Sequence, residues 1–225
     1  MSATYRTSTY DQREKASDAM EAYKADAASN TTVVGAIPML TGDAKAAYFA
    51  AYEAHNQATG AAQVAVREVE TRHDELMSAF RFFMATLLDG EGHADTAAAT
   101  ELLDGARPSE VATMAYSKAH GRIDKLCQRL SSRTDLSYDA DRASALQTAN
   151  DAFGKAIATD DAAWRTKTAC GTALSAAAQE FDAAYARLIH VAKANLSTTD
   201  FKAAFPRFVR KEKASTKAAV SGSAS

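Results

Sequence analysis

Proline, glycine and cysteine are all rare in this sequence of 225 residues, which contains three prolines, ten glycines and two cysteines. Pro38, Pro108 and Pro206 each fall where a helix is expected to begin or end, and these are positions that a helical chain tolerates for proline. Alanine, the strongest helix former, recurs in nearly every segment. Together these features predict an all-α fold.

Paired cysteines and long hydrophobic runs are also missing. Cys127 and Cys170 show no paired spacing, which argues against a disulfide framework or a zinc site. No stretch approaches the length of a membrane span, and the first thirty residues lack the apolar run of a signal peptide. We therefore expect both cysteines to be small core residues and the protein to be cytoplasmic, or to lie within an assembled particle.

One long helix is predicted from Asp43 to about Leu88, because its apolar positions recur at alternating spacings of four and three residues. This spacing places a narrow stripe on one face of an α-helix, as in a helical bundle or coiled coil. The stripe consists of Tyr48, Tyr52, His55, Thr59, Ala62, Val66, Val69, His73, Leu76, Phe80, Phe83 and Leu87.

A second long helix is predicted over roughly Asp141 to Asn195. Shifting the first stripe by 105 residues gives a second stripe, which consists of Phe153, Ile157, Asp160, Trp164, Lys167, Gly171, Leu174, Ala178, Phe181, Tyr185, Leu188 and Ala192. This match suggests an internal duplication. However, 105 residues are fifteen heptads, so any two coiled-coil helices would match in phase. Gly60, Gly154 and Gly171 mark either kinks in these helices or close approaches of another helix.

The predicted architecture is an elongated antiparallel helical bundle with two long helices (about 43–88 and 141–195), shorter helices, and extended N- and C-terminal arms. The shorter helices are expected at Tyr10 to about Ala28, Thr96 to Leu103, Pro108 to about Leu130, and after the capping residue Ser197. The chain divides into an N-terminal arm (1–42), a helical bundle (43–200) and a basic C-terminal helix with its tail (201–225).

An apolar segment without helical character is predicted over residues 30–42. It contains β-branched residues together with Gly35 and Pro38, which disfavour a helix. Such a segment must be covered, either by its own bundle or by a neighbouring subunit. We take it as a candidate assembly arm, formed by Val33, Val34, Ile37, Met39 and Leu40.

The stretch from Phe201 to Lys217 is strongly basic. It carries one acidic residue and a net charge of +5, so the rest of the chain carries −7 of the total of −2. Such a segment suits an acidic partner, which is nucleic acid, an anionic surface or the acidic body of another copy of the chain. Phe201, Phe205 and Phe208 would either stack on bases or dock the last helix on the bundle. The candidate binding residues are Lys202, Arg207, Arg210, Lys211, Lys213 and Lys217.

Glu70 and His73 form the only Glu-x-x-His pair, which is half of the motif used by di-iron bundle proteins. Because the second pair is missing, these residues are weak metal candidates, and His73 alternatively sets helix register. His55, Asp160 and Asp161 would approach one another only if the long helices pair with matching ends. No grouping of residues suggests a catalytic nucleophile, and we expect no cofactor.

The leading hypothesis is a non-enzymatic structural protein that self-assembles through its terminal arms, as a coat, filament or scaffold subunit. One alternative is a helical protein that packages nucleic acid with its basic C-terminal segment. The other is a ferritin-like di-metal bundle around Glu70 and His73.

Overall fold

The computed structural model describes residues 3–4, 7–91, 97–133, 136 and 138–209, with side chains for 7–87, 99–133, 136 and 138–208. The elements in chain order are β1 (Ala3–Thr4), α1 (Tyr10–Ala25), α2 (Thr31–Glu91), α3 (Ala97–Leu102), α4 (Pro108–Val111), α5 (Tyr116–Leu130), α6 (Ala140–Asn195), α7 (Thr198–Ala204) and β2 (Phe208–Val209). The predicted all-α helical bundle is confirmed, and the long helices α2 and α6 pack against each other. The described strands form one antiparallel pair, in which Ala3 faces Val209 and Thr4 faces Phe208.

The sequence did not decide whether Gly60, Gly154 and Gly171 kink the two long helices. In the structure both helices continue through these glycines. Their antiparallel arrangement follows from the contacts between residues 54–91 and 140–171. The His55 ring lies beside Gly171, the His73 ring lies 5.5 Å from that of Phe153, and Arg142 Nη1 donates a 3.0 Å hydrogen bond to the carbonyl of Phe82. In the part of the chain that the structure describes, we find no helix long and apolar enough to cross a membrane.

The prediction of a non-helical segment over residues 30–42 is wrong, because α2 begins at Thr31 and runs through Pro38. The side-chain oxygen of Asn30 accepts hydrogen bonds from the backbone of Thr32 (3.0 Å) and Val33 (3.3 Å), so Asn30 caps the helix. Burial of Val33 and Ile37 outweighs the low helix propensity of this stretch. Pro38 lies on the exposed face of α2, and it leaves the carbonyl of Val34 without its usual helical donor.

The single helix predicted from Pro108 to Leu130 is also wrong, since the chain forms α4 and α5 with a turn between them. The Thr113 hydroxyl donates a 2.9 Å hydrogen bond to the carbonyl of Glu110, and the backbone of Met114 bonds to Val111, three residues back. These tighter bonds end the first helix. The remaining short helices lie close to their predicted positions, and Ser197 caps α7 by accepting a hydrogen bond from the backbone of Asp200.

The chain divides into two compact units, of which unit 1 comprises residues 1–53 and 172–225. Its core joins α1, the first part of α2, the last part of α6, and α7. Arg13 ties α1 to α6, because its Nε and Nη2 atoms donate hydrogen bonds of 2.8 and 2.6 Å to the carboxylate of Asp182. The guanidinium also lies 5.0 Å from the ring of Tyr48. Burial acts to lower the pKa of Arg13, but the hydrogen bonds to Asp182 and Tyr48 outweigh it and leave that pKa raised.

Unit 2 comprises residues 54–171. Large side chains near the end of α2 and the start of α6 form its core with α3 and α5. Basic side chains of α5 hold the end of α3, since Arg129 donates to the carbonyl of Glu101 (2.6 Å) and Arg122 to that of Asp104 (2.6 Å). Hydrogen bonds from Lys125 and Arg129 lower the pKa of the Asp104 carboxyl to about 2. This corner is therefore a helix end stabilised by arginine.

Candidate functional site

The basic C-terminal candidates are only partly within the described chain. Lys202 lies exposed on α7, and Arg207 is exposed just after it. The aromatic residues of this segment are not available to nucleic-acid bases, because Phe201, Phe205 and Phe208 are buried in the core of unit 1. The docking interpretation of these aromatics is thus confirmed. Four further candidates lie outside the described residues: Arg210, Lys211, Lys213 and Lys217.

The candidate assembly arm is helical, and its residues have different environments. Val33 and Ile37 are buried in the core of unit 1, and Leu40 packs partly against it. Val34 is half-buried. Met39, at 84% exposure, is the one member of this set with a largely free side chain. The five residues therefore do not form one apolar surface.

The metal candidates do not form a coordination site. Glu70 is exposed, whereas the His73 ring packs 4.8 Å from that of Tyr116 and 5.5 Å from that of Phe153. His55 lies beside Gly171, eleven residues beyond Asp160 and about 16 Å from it along the helix. The described residues contain no group of three or more histidine, cysteine, aspartate or glutamate side chains that could hold a metal ion.

A cleft of about 860 Å³ lies in unit 1 between α1 and α7, in the part of the chain that the structure describes. Its charged lining includes Lys15 and Lys202 but also Asp26 and Asp200. Because the two signs offset each other, the charged lining of the cleft favours neither an anion nor a cation by its net charge.

A different part of unit 2 has the features of an interaction surface. We call residues 54–66 of α2 together with residues 157–171 of α6 the alanine segment. In its α2 part the only buried residues are Ala58, Ala62 and Ala65, and no residue of its α6 part is buried, although both ranges are fully described. Thin packing of this kind leaves much of both helices open to a further contact.

Large apolar side chains are exposed in the alanine segment. Trp164 is 50% exposed, Val64 66% and Val66 39%. Val66 and Trp164 belong to the two predicted stripes, so the stripes are not covered along their whole length. Exposed apolar side chains concentrated in one stretch are typical of interaction sites, whereas scattered ones are ordinary.

Charge is also unusual in the alanine segment. Residues 54–66 contain no aspartate, glutamate, lysine or arginine, which is uncommon for a helix that faces water. The α6 part has exposed Asp161 and Arg165, and neither forms an ion pair with another residue that the structure describes. Lys167 Nζ lies 4.7 Å from the centre of the Trp164 ring. An exposed tryptophan with charged side chains on its own helix and an uncharged stretch on the neighbouring helix resembles a protein interface, which has an apolar core and a polar rim.

Buried polar atoms in the alanine segment lack protein partners. His55 Nδ1, Thr59 Oγ1 and Asp160 Oδ1 are shielded from solvent, and none has a hydrogen-bond partner among the described residues. Each such atom carries a cost unless a water molecule or another group satisfies it. The two helices by themselves therefore leave some of the buried polar atoms between them without a hydrogen-bond partner.

Sequence reasoning found the stripes but missed the alanine segment as a surface. The run without charged residues over 54–66 and the single tryptophan were visible signals. No protein-family model matches this chain, and comparisons with curated proteins and with solved structures gave no significant similarity.

Proposed function

We propose that this chain is a non-enzymatic structural subunit that associates with copies of itself, as in a coat, filament or scaffold. The observation that supports this proposal is the alanine segment, which combines thin packing, exposed Trp164, Val64 and Val66, and an uncharged run. The alanine segment lies outside the terminal arms, through which the sequence predicted that the chain assembles.

The energetic argument is that association would bury apolar area which the chain leaves in water. Half-exposed Trp164 has roughly 100 Å² available for burial, given the usual size of an aromatic side chain. At about 25 cal/mol per Å², that area corresponds to about 2–3 kcal/mol. Tryptophan is also among the residues that dominate binding energy at protein interfaces.

Sedimentation velocity of the full chain, over about 1 μM to about 1 mM, tests the proposal, because weak interfaces associate in that range. We expect the mass to rise with concentration from 23.9 kDa to whole multiples of that value. A protein that remains monomeric throughout the series would overturn self-association.

Nucleic-acid packaging remains the second candidate, because residues 201–217 carry a net charge of +5. It predicts binding that weakens steeply as salt rises. The test should replace Arg210, Lys211, Lys213 and Lys217 by glutamine rather than remove residues after Phe205, since Phe208 belongs to the core. Binding that is absent, or independent of salt, would exclude this candidate.

The ferritin-like di-metal alternative finds no support in the described part of the chain, because exposed Glu70 does not lie with His73 in a ligand group. Metal analysis of the purified protein tests it directly. Less than one equivalent of bound iron, manganese or zinc would end it.

A further inference from the structure

We infer that two copies of this chain associate antiparallel through α6, about a two-fold axis beside Ala163, with Asp161 of each copy facing Arg165 of the other. This inference rests on the proposed self-association and names the surface that carries it. Its starting point is the order of side chains on α6, where Asp161, Trp164 and Arg165 are all exposed within little more than one helical turn.

The charges on α6 are self-complementary only in the antiparallel arrangement. A two-fold axis at Ala163 places residue 161 opposite residue 165 of the second copy, and the same contact recurs on the other side of the axis. Both exposed charges thereby gain a partner of opposite sign. A parallel arrangement in register would instead place Asp161 against Asp161 and Arg165 against Arg165, which is unfavourable.

The same register gives Trp164 a suitable neighbour. Residues 161, 164 and 165 lie on one face of α6, and residue 164 is one position from the axis, so the indole rings of the two copies lie near each other at the centre of the contact. The register also keeps Lys155, Asp160 and Lys167 away from like charges, because they fall opposite Gly171, Thr166 and Thr159 respectively.

The neighbouring helix does not oppose this contact. Residues 54–66 of α2 run beside this part of α6, as the contact of His55 with Gly171 shows, and they bring no charged side chain to the surface. A second copy can therefore approach without burying an unpaired charge from α2. The proposed contact involves little more than one turn of α6 in each copy, so it buries less surface than the roughly 1,200–2,000 Å² of a stable interface. We therefore expect dimerisation that depends on protein concentration.

Charge reversal at the proposed contact tests the arrangement in sedimentation experiments on the full chain. Arg165→Asp should weaken dimerisation by about 5- to 30-fold, because it creates two like-charge pairs per dimer. The exchange variant, Asp161→Arg with Arg165→Asp, should restore it to within about threefold, since each pair again has opposite signs. If the exchange variant stays as weak as the single variant, the antiparallel register is wrong.

Removal of the aromatic side chain tests the centre of the contact. Trp164→Ala should weaken dimerisation at least about tenfold, as expected for a central tryptophan. Phe82→Ala is the matched control, because Phe82 is 62% exposed in unit 2 but lies outside the alanine segment, and it should leave dimerisation unchanged. Circular dichroism and thermal unfolding of each variant separate loss of fold from loss of contact.

The outcomes distinguish the two proposals. A wild-type chain that stays monomeric at all concentrations overturns the proposed function and this inference together. A wild-type chain that associates, with Trp164→Ala and Arg165→Asp both as strongly associated as the wild type, overturns the α6 contact and leaves self-association through another surface.

Discussion

Replacement of Gly154 by alanine should destabilise the protein, although alanine is the better helix former. Gly154 lies in α6 against His120 of α5, and a Cβ atom at this position would lie 2.7 Å from His120 Cε1 and 2.9 Å from Nε2. The ring would have to move. His120 Nδ1 lies 3.0 Å from the side-chain oxygen of Asn150, which is fully buried, so the movement would break that hydrogen bond.

The magnitude follows from two opposing effects. Glycine to alanine inside a helix stabilises by about 0.5–1 kcal/mol. Loss of a hydrogen-bond partner for a buried polar group costs about 1–3 kcal/mol. The net cost spans about 0–2.5 kcal/mol. From the middle of that range we expect Gly154→Ala to lower the free energy of unfolding by about 1–2 kcal/mol, and the melting temperature by about 2–8 °C for a chain of this size.

Urea and thermal unfolding measure this effect, and the chain offers a matched control. Gly121 lies in α5 next to His120, and a Cβ atom there would meet nothing within 4 Å, so Gly121→Ala should stabilise by about 0.5–1 kcal/mol. In a His120→Ala background the clash is gone, and Gly154→Ala should become stabilising too. If Gly154→Ala stabilises the otherwise unchanged chain as much as Gly121→Ala does, the close packing of His120 on α6 is refuted.

Three further predictions concern stability. Pro38→Ala should raise the free energy of unfolding by up to about 3 kcal/mol in urea titrations, because it restores a hydrogen bond inside α2; no gain would indicate that the proline is accommodated without cost. Asp182→Ala should lower that free energy by about 3 kcal/mol, since it leaves the buried Arg13 charge unpaired, whereas a change below about 1 kcal/mol would refute the role of this pair. The Asp104 carboxyl has a pKa of about 2 in the folded chain against an ordinary 3.8, so the stability it adds is complete above about pH 4 and is lost as the pH falls towards 2. Asp104→Asn should flatten the decline in stability over this window, and an unchanged slope would contradict the assignment.

The helices that the sequence located well have local signals at their ends. Thr9 caps α1 by accepting a hydrogen bond from the backbone of Gln12, and Ser197 does the same for α7. The start of α2 is hard to predict because its local signals conflict. Gly35 and Pro38 disfavour a helix, whereas Asn30 is a capping residue that favours one. Burial of Val33 then decided in favour of the helix, and burial of this kind depends on tertiary packing that the local sequence does not contain.

The internal duplication stays a prediction, but the observed bounds of the short helices bear on it. Shifting α1 (Tyr10–Ala25) by 105 residues gives 115–130, and α5 spans Tyr116–Leu130. Each of these helices is followed by a loop and then by a long helix. Unlike the phase of the stripes, this order does not follow from the heptad arithmetic of coiled coils.

The candidate site was harder to predict than the fold, because spacing along a helix does not reveal which neighbours cover it. Val66 and Trp164 have the same heptad positions as the buried Phe80 and Tyr185, yet they remain exposed. The difference depends on which other segments pack against α2 and α6 at each position along their length. Periodicity predicts which face is apolar, and only the three-dimensional arrangement decides whether that face is covered.

The composition of the alanine segment explains both its helical structure and its proposed role. Alanine favours the helix strongly enough for α2 and α6 to continue where few large side chains pack between them. On the α2 side, the small, uncharged side chains of residues 54–66 add no charge that an approaching helix would have to desolvate. A segment selected only to connect two cores could carry charged residues on its outer faces at no cost to the helix. The lack of charge over residues 54–66 and the exposure of Trp164 are therefore better explained by a contact with a second copy than by the needs of the helices alone.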